Sequence, residues 1–322
     1  MRHYQVVKDD RVFGAWTSRS DVGQSVDGAE ITWEDYLRAE DAYISAIRLL
    51  ARAAGGEGFT IRWPELDERN GLTADNFHDG AVVTHQRAEE IARRALRQEG
   101  IWCALTRPGR LVLSFGFDFQ LRVSTSFDIS AVAEELDSLG LRVYDAPQYA
   151  ETHEGEEGAE YLTTAADNAF WNTVADRSGQ PGVHLLWEIW ASGSLGEHWY
   201  RLRPGATDRV RRRVHPRSLV AGYFGIASHT AEQARQVLSA LTDDDPEDLA
   251  ERRWLCAVER AGSPVLAVTR YEDAAELRNK LREGPALPEG AYLFPEPEDV
   301  SHRIEAVVPD PDGTVVQRWP LG

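Results

Sequence analysis

Apolar positions change their period several times along the chain. Residues 3–17, HYQVVKDDRVFGAWT, set two apolar runs around a polar KDD, the pattern of an opening hairpin. From Thr32 the period lengthens. Trp33, Tyr36, Leu37, Tyr43, Ile44, Ile47 and Leu50 recur at helical spacing, acids lead the run, arginines end it and Gly55–Gly56 stops it, which predicts a helix. FTIRW (59–63) reads as a strand, and a polar loop follows as far as Asp79. THQRAEEIARRALRQEG (84–100) predicts a second helix capped by Thr84. Residues 101–125 predict strands separated by the RPG turn and the FGFDF segment, and 126–140 and 141–147 predict a helix ending at Gly140 and a closing strand.

The pattern lapses at 149–161, where five glutamates and two glycines replace it. Beyond it, 162–177 reads as helix, and 182–192, 197–203 and 217–228 read as strands. TAEQARQVLSAL (230–241) predicts a helix running into the acidic TDDDPEDLAE. The tail gives a hairpin over 254–271, a helix over 272–284 and a last hairpin around DPDG at 310–313. Helices returning to sheets make the fold class α+β, with two antiparallel or mixed sheets built from hairpin-helix units. The expected organisation is a domain over 1–148, an acidic linker or loop over 149–160, and a second domain over 161–322. The opening and the 254–271 hairpin echo each other only in architecture, with no sequence identity that would make a repeat.

Composition adds a charge to this outline. The 322 residues carry 53 acids against 35 lysines and arginines, a net charge of −18, and Lys8 and Lys280 are the only lysines. Such a field opposes nucleic acid and anionic lipid and speeds association with a basic protein. Cys103 and Cys256 have no metal-binding spacing, which suits a reducing compartment. The first fourteen residues lack the apolar run of a signal peptide and no stretch is apolar enough for a membrane span, so a cytoplasmic protein is expected.

Catalytic motifs with fixed spacing are missing: there is no HExxH, GxSxG or phosphate-binding glycine loop. No cofactor is implied. The acidic runs 243–248 and 310–313 lack the ligand alternation of a calcium loop, so no metal is predicted from them. Two segments carry more. In LLWEIW, alternation puts Leu185, Trp187 and Ile189 on one strand face and Leu186, Glu188 and Trp190 on the other, so aromatics serve either a filled core or a contact surface. Residues 198–217 gather Arg201, Arg203, Arg209, Arg211, Arg212, Arg213 and Arg217 between His198 and His215. Read as a strand, DRVRRRV turns Arg209, Arg211 and Arg213 to one face, an anion clamp unless they balance nearby carboxylates. A fold that brought His184, His198 and His215 to Glu188 or Glu197 would add acid-base groups; otherwise these are strand-end histidines.

Residues 88–141, through Ile101, Trp102, Cys103, Leu105, Gly116, Phe117, Asp118 and Phe119, resemble immunity-type proteins of bacterial polymorphic toxins. The resemblance implies a cytosolic protein that inhibits a toxin by binding it, without chemistry. Two functions follow from the sequence. The first is a non-enzymatic binding protein for a basic protein partner. Its contacts would be Glu151, Glu154, Glu156, Glu157, Glu160, Asp243, Asp244 and Asp245, with Trp190 and Trp199 as anchors. The second is an enzyme or receptor for an anionic small molecule, using Arg209, Arg211, Arg213, His198 and His215.

Overall fold

Among the described residues, two seven-stranded sheets organise the chain in a computed structural model. The structure describes residues 1–321 except 27, 67–76, 117–118, 148–159, 192–195, 227–228, 231, 235, 237–252, 260–264, 284–290 and 296–302. The chain divides into one unit of Met1–Ala159 with Trp190–Gly196, and another of Glu160–Ile189 with Glu197–Gly322. The expected linker, 149–160, lies outside the described residues apart from Glu160. The fold is α+β, and every pairing between named strands is antiparallel.

In the first unit the strands are β1 (Arg2–Lys8), the short ribbon β2 (Ser25–Val26) and β3 (Ala29–Glu30), β4 (Phe59–Leu66), β5 (Val82–Val83), β6 (Ile101–Arg107), β7 (Leu111–Phe115), β8 (Leu121–Thr125) and β9 (Leu141–Asp145). The sheet order is β5-β4-β6-β7-β8-β1-β9. The helices are α1 (Asp10–Phe13), α2 (Trp33–Ala54), α3 (His85–Leu96) and α4 (Ser130–Ser138). Helix α2 begins where the capping pattern places it: Thr32 accepts from Asp35 N–H, and Asp35 accepts from Thr32 N–H. Its apolar stripe, Tyr36, Tyr43, Ile44, Ile47 and Leu50, is buried.

The opening hairpin does not form. Asp9 caps the single turn of α1 by accepting from Arg11 N–H, and Phe13 and Trp16 are buried. Strand β1 pairs instead with β8 and β9. KDD looked like an exposed turn, yet Lys8 and Asp9 are buried: Lys8 pairs with Asp10, and Asp9 with Arg11 and Arg142. Satisfied charges made a helix start out of a predicted hairpin loop.

The second unit contains α5 (Asn168–Ser178), β10 (Val183–Ile189), β11 (Glu197–Leu202), α6 (Thr207–Arg211), β12 (Leu219–Ile226), β13 (Trp254–Glu259), β14 (Val265–Tyr271), α7 (Ala274–Glu283), β15 (Tyr292–Pro295) and β16 (Arg303–Val307). Its sheet order is β15-β13-β14-β11-β10-β12-β16. The expected 254–271 hairpin is β13–β14. The helix expected from Leu162 starts only after Asp167, which caps it, because Thr164 and Ala166 are held by backbone bonds to Val307. The last hairpin is also corrected. DPDG makes a turn, but β16 pairs with β12, and the returning chain bonds at Trp319 to Leu162. The predicted helix at 230–241 and the acidic run after it lie largely outside the described residues.

Alternation along β10 and β11 sets the two faces of this sheet. Leu186, Tyr200, Leu202 and Val220 pack with Phe170, Trp171 and Val210 on one side. Leu185, Trp199, Ala221, Tyr223 and Phe294 pack on the other. Both faces are covered, which is why aromatics occur on each.

Candidate functional site

The arginine island folds differently from its strand reading. Gly205, at φ +77°, turns the chain, and Thr207–Arg211 wind into α6. Val210 is fully buried and Val214 half-buried, so one apolar stripe at i, i+4 anchors the segment. On a helix, Arg209 and Arg211 project about 200° apart, so Arg209, Arg211 and Arg213 form no common face; all three are exposed. Arg203 pairs with Glu259, Arg217 makes a two-pronged contact with Asp310 at 2.8–3.2 Å, and Arg201 lies 5.1 Å from the centre of the Tyr292 ring. The clamp is therefore corrected to a short, solvent-facing helix flanked by ion pairs.

A buried polar cluster stands beside it. Glu188 on β10 lies directly opposite His198 on β11, and Tyr200 follows on the same face. His215 and Ser218 come from the connection between α6 and β12. The carboxylate is fully buried. Its Oε1 accepts from His215 N–H at 2.5 Å and Ser218 Oγ at 3.0 Å, and lies 2.8 Å from His215 Nδ1. Its Oε2 accepts from Tyr200 Oη at 2.6 Å and lies 3.3 Å from His198 Nδ1. The imidazoles face each other, centres 5.9 Å apart and planes 29° apart. Burial alone would push the Glu188 carboxyl up. The charge of His215 and the hydrogen bonds from His198 and His215 outweigh it and hold the carboxyl well below the usual carboxylate range. Among the described residues, Glu188, His198 and His215 are the group of possible metal ligands whose ligating atoms fall within 4.8 Å of one another.

The other expected residues are placed elsewhere. His184 bonds Gln180 C=O and accepts from Gly225 N–H, so it ties β10 to its surroundings. Glu197 accepts from Trp187 Nε1 and pairs with Arg270. Trp190 and Trp199 are both buried; Trp199 stacks between Trp187 and Tyr223, so neither is an exposed anchor. Trp199 fills the core of a doubly covered strand, and Trp190, past the end of β10, packs in the core of the first unit, which corrects their assignment to a contact surface. Glu160 is exposed, while Glu151, Glu154, Glu156, Glu157, Asp243, Asp244 and Asp245 lie outside the described residues.

A second feature occupies the first unit. Ile101, Trp102, Phe115 and Phe119, with Leu96, wall a cavity of about 650 Å³ that also receives Glu65 and Arg122. Pro64 cannot donate to a ladder, and the β4 register shifts between Arg62 and Glu65, with Trp63 at φ +48°. After the bulge Glu65 stands opposite Trp102. Burial pushes the Glu65 carboxyl up. Gln98 and Phe119, two further non-glycine residues at positive φ, also line the cavity. Such strained positions gather where packing over-determines the backbone, commonly at binding sites. Four residues of the noted resemblance, Ile101, Trp102, Gly116 and Phe119, are in its wall; Phe117 and Asp118 lie outside the described residues, and Cys103 and Leu105 are buried in the core.

No helix among the described residues is long and apolar enough to cross a membrane. Compared with models of protein families, with curated proteins and with solved structures, the chain matches none.

Proposed function

We propose that this chain is a binding protein that inhibits a basic protein partner, in the manner of toxin-immunity proteins, and that the cavity of the first unit receives a basic side chain of that partner. The observation that carries the reading is the cavity itself. Trp102, Phe115 and Phe119 offer apolar walls to the stem of a lysine or arginine, and Glu65, which shares the cavity with Arg122, offers a carboxyl to its head. Its volume falls in the range of sites that bury a ligand of drug size. Charge balance supports the same partner. Ion pairing leaves the net charge of −18 unchanged, and that acidic surplus steers a cationic surface inward. The clamp required by the anionic-ligand alternative is not assembled.

The test is co-purification with the product of the adjacent gene, followed by stopped-flow association at rising salt. A complex is expected, with an association rate that falls steeply between low and physiological ionic strength. Glu65→Gln should weaken it about ten-fold or more, with most of the loss in the dissociation rate. The absence of a complex at micromolar concentration and low salt overturns the proposal, as does a complex unaffected by salt and by Glu65→Gln.

A further inference from the structure

The carboxylate of Glu188 is oversubscribed. Five polar groups lie within 3.3 Å of its two oxygens: His215 N–H, His215 Nδ1, Ser218 Oγ, Tyr200 Oη and His198 Nδ1. An ionised carboxylate offers about four lone-pair directions. Three of the five, a backbone amide and two hydroxyls, are ordinary donors. Tyr200 has a single proton, and its 2.6 Å contact with Oε2 takes it, leaving the 3.3 Å approach of Tyr200 Oη to His198 Nδ1 without a second one. The three donors take both lone pairs of Oε1 and one of Oε2, which leaves a single lone pair of Oε2 for two imidazole nitrogens.

We infer that Glu188, His198 and His215 form a binding site for a zinc-class divalent cation. The spacing fits. Zinc binds imidazole nitrogen and carboxylate oxygen at about 2.0–2.1 Å, so neighbouring ligand atoms should stand about 2.9 Å apart at a right angle and about 3.3 Å apart at the tetrahedral angle. Here His198 Nδ1 stands 3.3 Å from Oε2, the oxygen with a lone pair left, and all three ligating atoms fall within 4.8 Å, so His215 Nδ1, now 2.8 Å from Oε1, reaches the ion by a side-chain adjustment. The ligand set, two imidazoles and one carboxylate, suits zinc and its first-row neighbours and not calcium or magnesium, which take oxygen. The support around the ligands has the form metal sites use. Ser218, Tyr200 and the His215 amide hold the carboxylate in place from behind. Two ligands sit on directly paired positions of adjacent strands, so the sheet fixes their separation. Glu188 and His215 are buried and His198 is 12% exposed, which leaves one side chain in contact with solvent for metal entry.

The site is independent of the proposed partner and of the first unit's cavity, and its test uses neither. The full chain, purified without a histidine tag and stripped with chelator, is titrated with zinc by calorimetry and with cobalt(II) by visible absorption. About one equivalent should bind at micromolar concentration or below, with a cobalt d–d band and a raised melting temperature. His198→Ala, whose ring is partly solvent-facing, should lose the band and weaken zinc binding by at least about 100-fold while keeping its circular dichroism. Ser218→Ala should retain the stoichiometry and weaken binding about ten-fold. The wild-type titration decides the matter even if a variant fails to fold. No heat, no band and an unmoved melting temperature at tens of micromolar metal overturn the inference and leave a hydrogen-bonded network. One-equivalent binding that survives in folded His198→Ala also overturns it.

Discussion

Replacing Glu188 tests whether its neighbours need an oxygen at that place or merely a filled volume. In Glu188→Gln the amide oxygen must stay where Oε1 is, because the His215 backbone N–H at 2.5 Å can only donate. The NH₂ then takes the place of Oε2, where Tyr200 Oη and His198 Nδ1 can both accept. The contacts survive in number but lose their charge. A hydrogen bond to an ionised group contributes about 1.5–3 kcal/mol against about 0.5–1.5 for a neutral one. With three contacts on Oε1 downgraded and two on Oε2 reversed, the cost comes to about 3 kcal/mol. Glu188→Leu is similar in size and removes the buried charge altogether. Apolar replacement of buried charges stabilises some proteins, but only when the partners are replaced as well. Here the backbone N–H cannot be removed, and Ser218, Tyr200 and two imidazoles remain beside a methyl group. At about 1–3 kcal/mol per stranded group, two that fail to find water already exceed the glutamine cost, giving about 4 kcal/mol or more. Urea denaturation at pH 7 with chelator present, followed by tryptophan fluorescence and circular dichroism, gives both differences. A leucine variant as stable as the glutamine variant, or either one more stable than wild type, would refute the reasoning.

Three other outcomes follow from single features. Gly58 sits at φ +67°, where an added Cβ would lie 2.4 Å from the Val83 carbonyl oxygen; Gly58→Ala should therefore destabilise by about 3 kcal/mol in a urea titration, combining backbone strain with a clash that backbone cannot yield to. Glu89, beside the Arg48 guanidinium, has its carboxyl held below the usual range. A depressed carboxyl contributes stability above the unfolded value of about 4.3, and that contribution is lost as pH falls through the folded value. The gap between wild type and Glu89→Gln should thus be a few tenths of a kcal/mol at pH 7, since Arg48 is well exposed, and close on acidification below about pH 5; a gap that widens in acid contradicts the pairing. Replacing Arg209, Arg211 and Arg213 together by alanine should shift stability by no more than about 1.5 kcal/mol, about 0.5 for each surface site, and phosphate or nucleotides should leave the melting temperature of wild type and variant alike unchanged.

The parts of the fold legible in the sequence are those where one local period has one physical solution. The stripe of α2 admits only a helix, and its capping residues name its start. In sequence the β13–β14 pair is two apolar runs around RAGSP, and the two strands pair antiparallel. Errors came where charge stood in for exposure. KDD is polar, yet its lysine and its first aspartate are buried: Lys8 pairs with Asp10, and Asp9 pairs with Arg11 and with Arg142, which β9 delivers from more than 130 residues away. The cavity was hidden for a related reason: Glu65 reaches it through the bulge at Trp63–Pro64, and strict alternation from Phe59 contains no such shift.

The polar cluster was legible in its members and not in its assembly. Glu188, His198 and His215 were all candidates, but two decisions that sequence leaves open control whether they meet. The first is register. Residues 190–196 separate β10 from β11, and a slip of one residue would place His198 opposite Trp187 or Ile189 and turn it to the other face. The second is the period of 207–214. Val210 and Val214 satisfy strand alternation and helical i, i+4 spacing equally well. A strand advances about 3.3 Å per residue and a helix about 1.5 Å, so winding Thr207–Arg211 shortens that stretch by roughly half. The shortened path returns His215 to the Glu188 that precedes it by 27 residues. The helix that disperses the arginine clamp is therefore the same one that completes the Glu188 centre, and a sequence reading that prefers the strand must both invent the first site and miss the second.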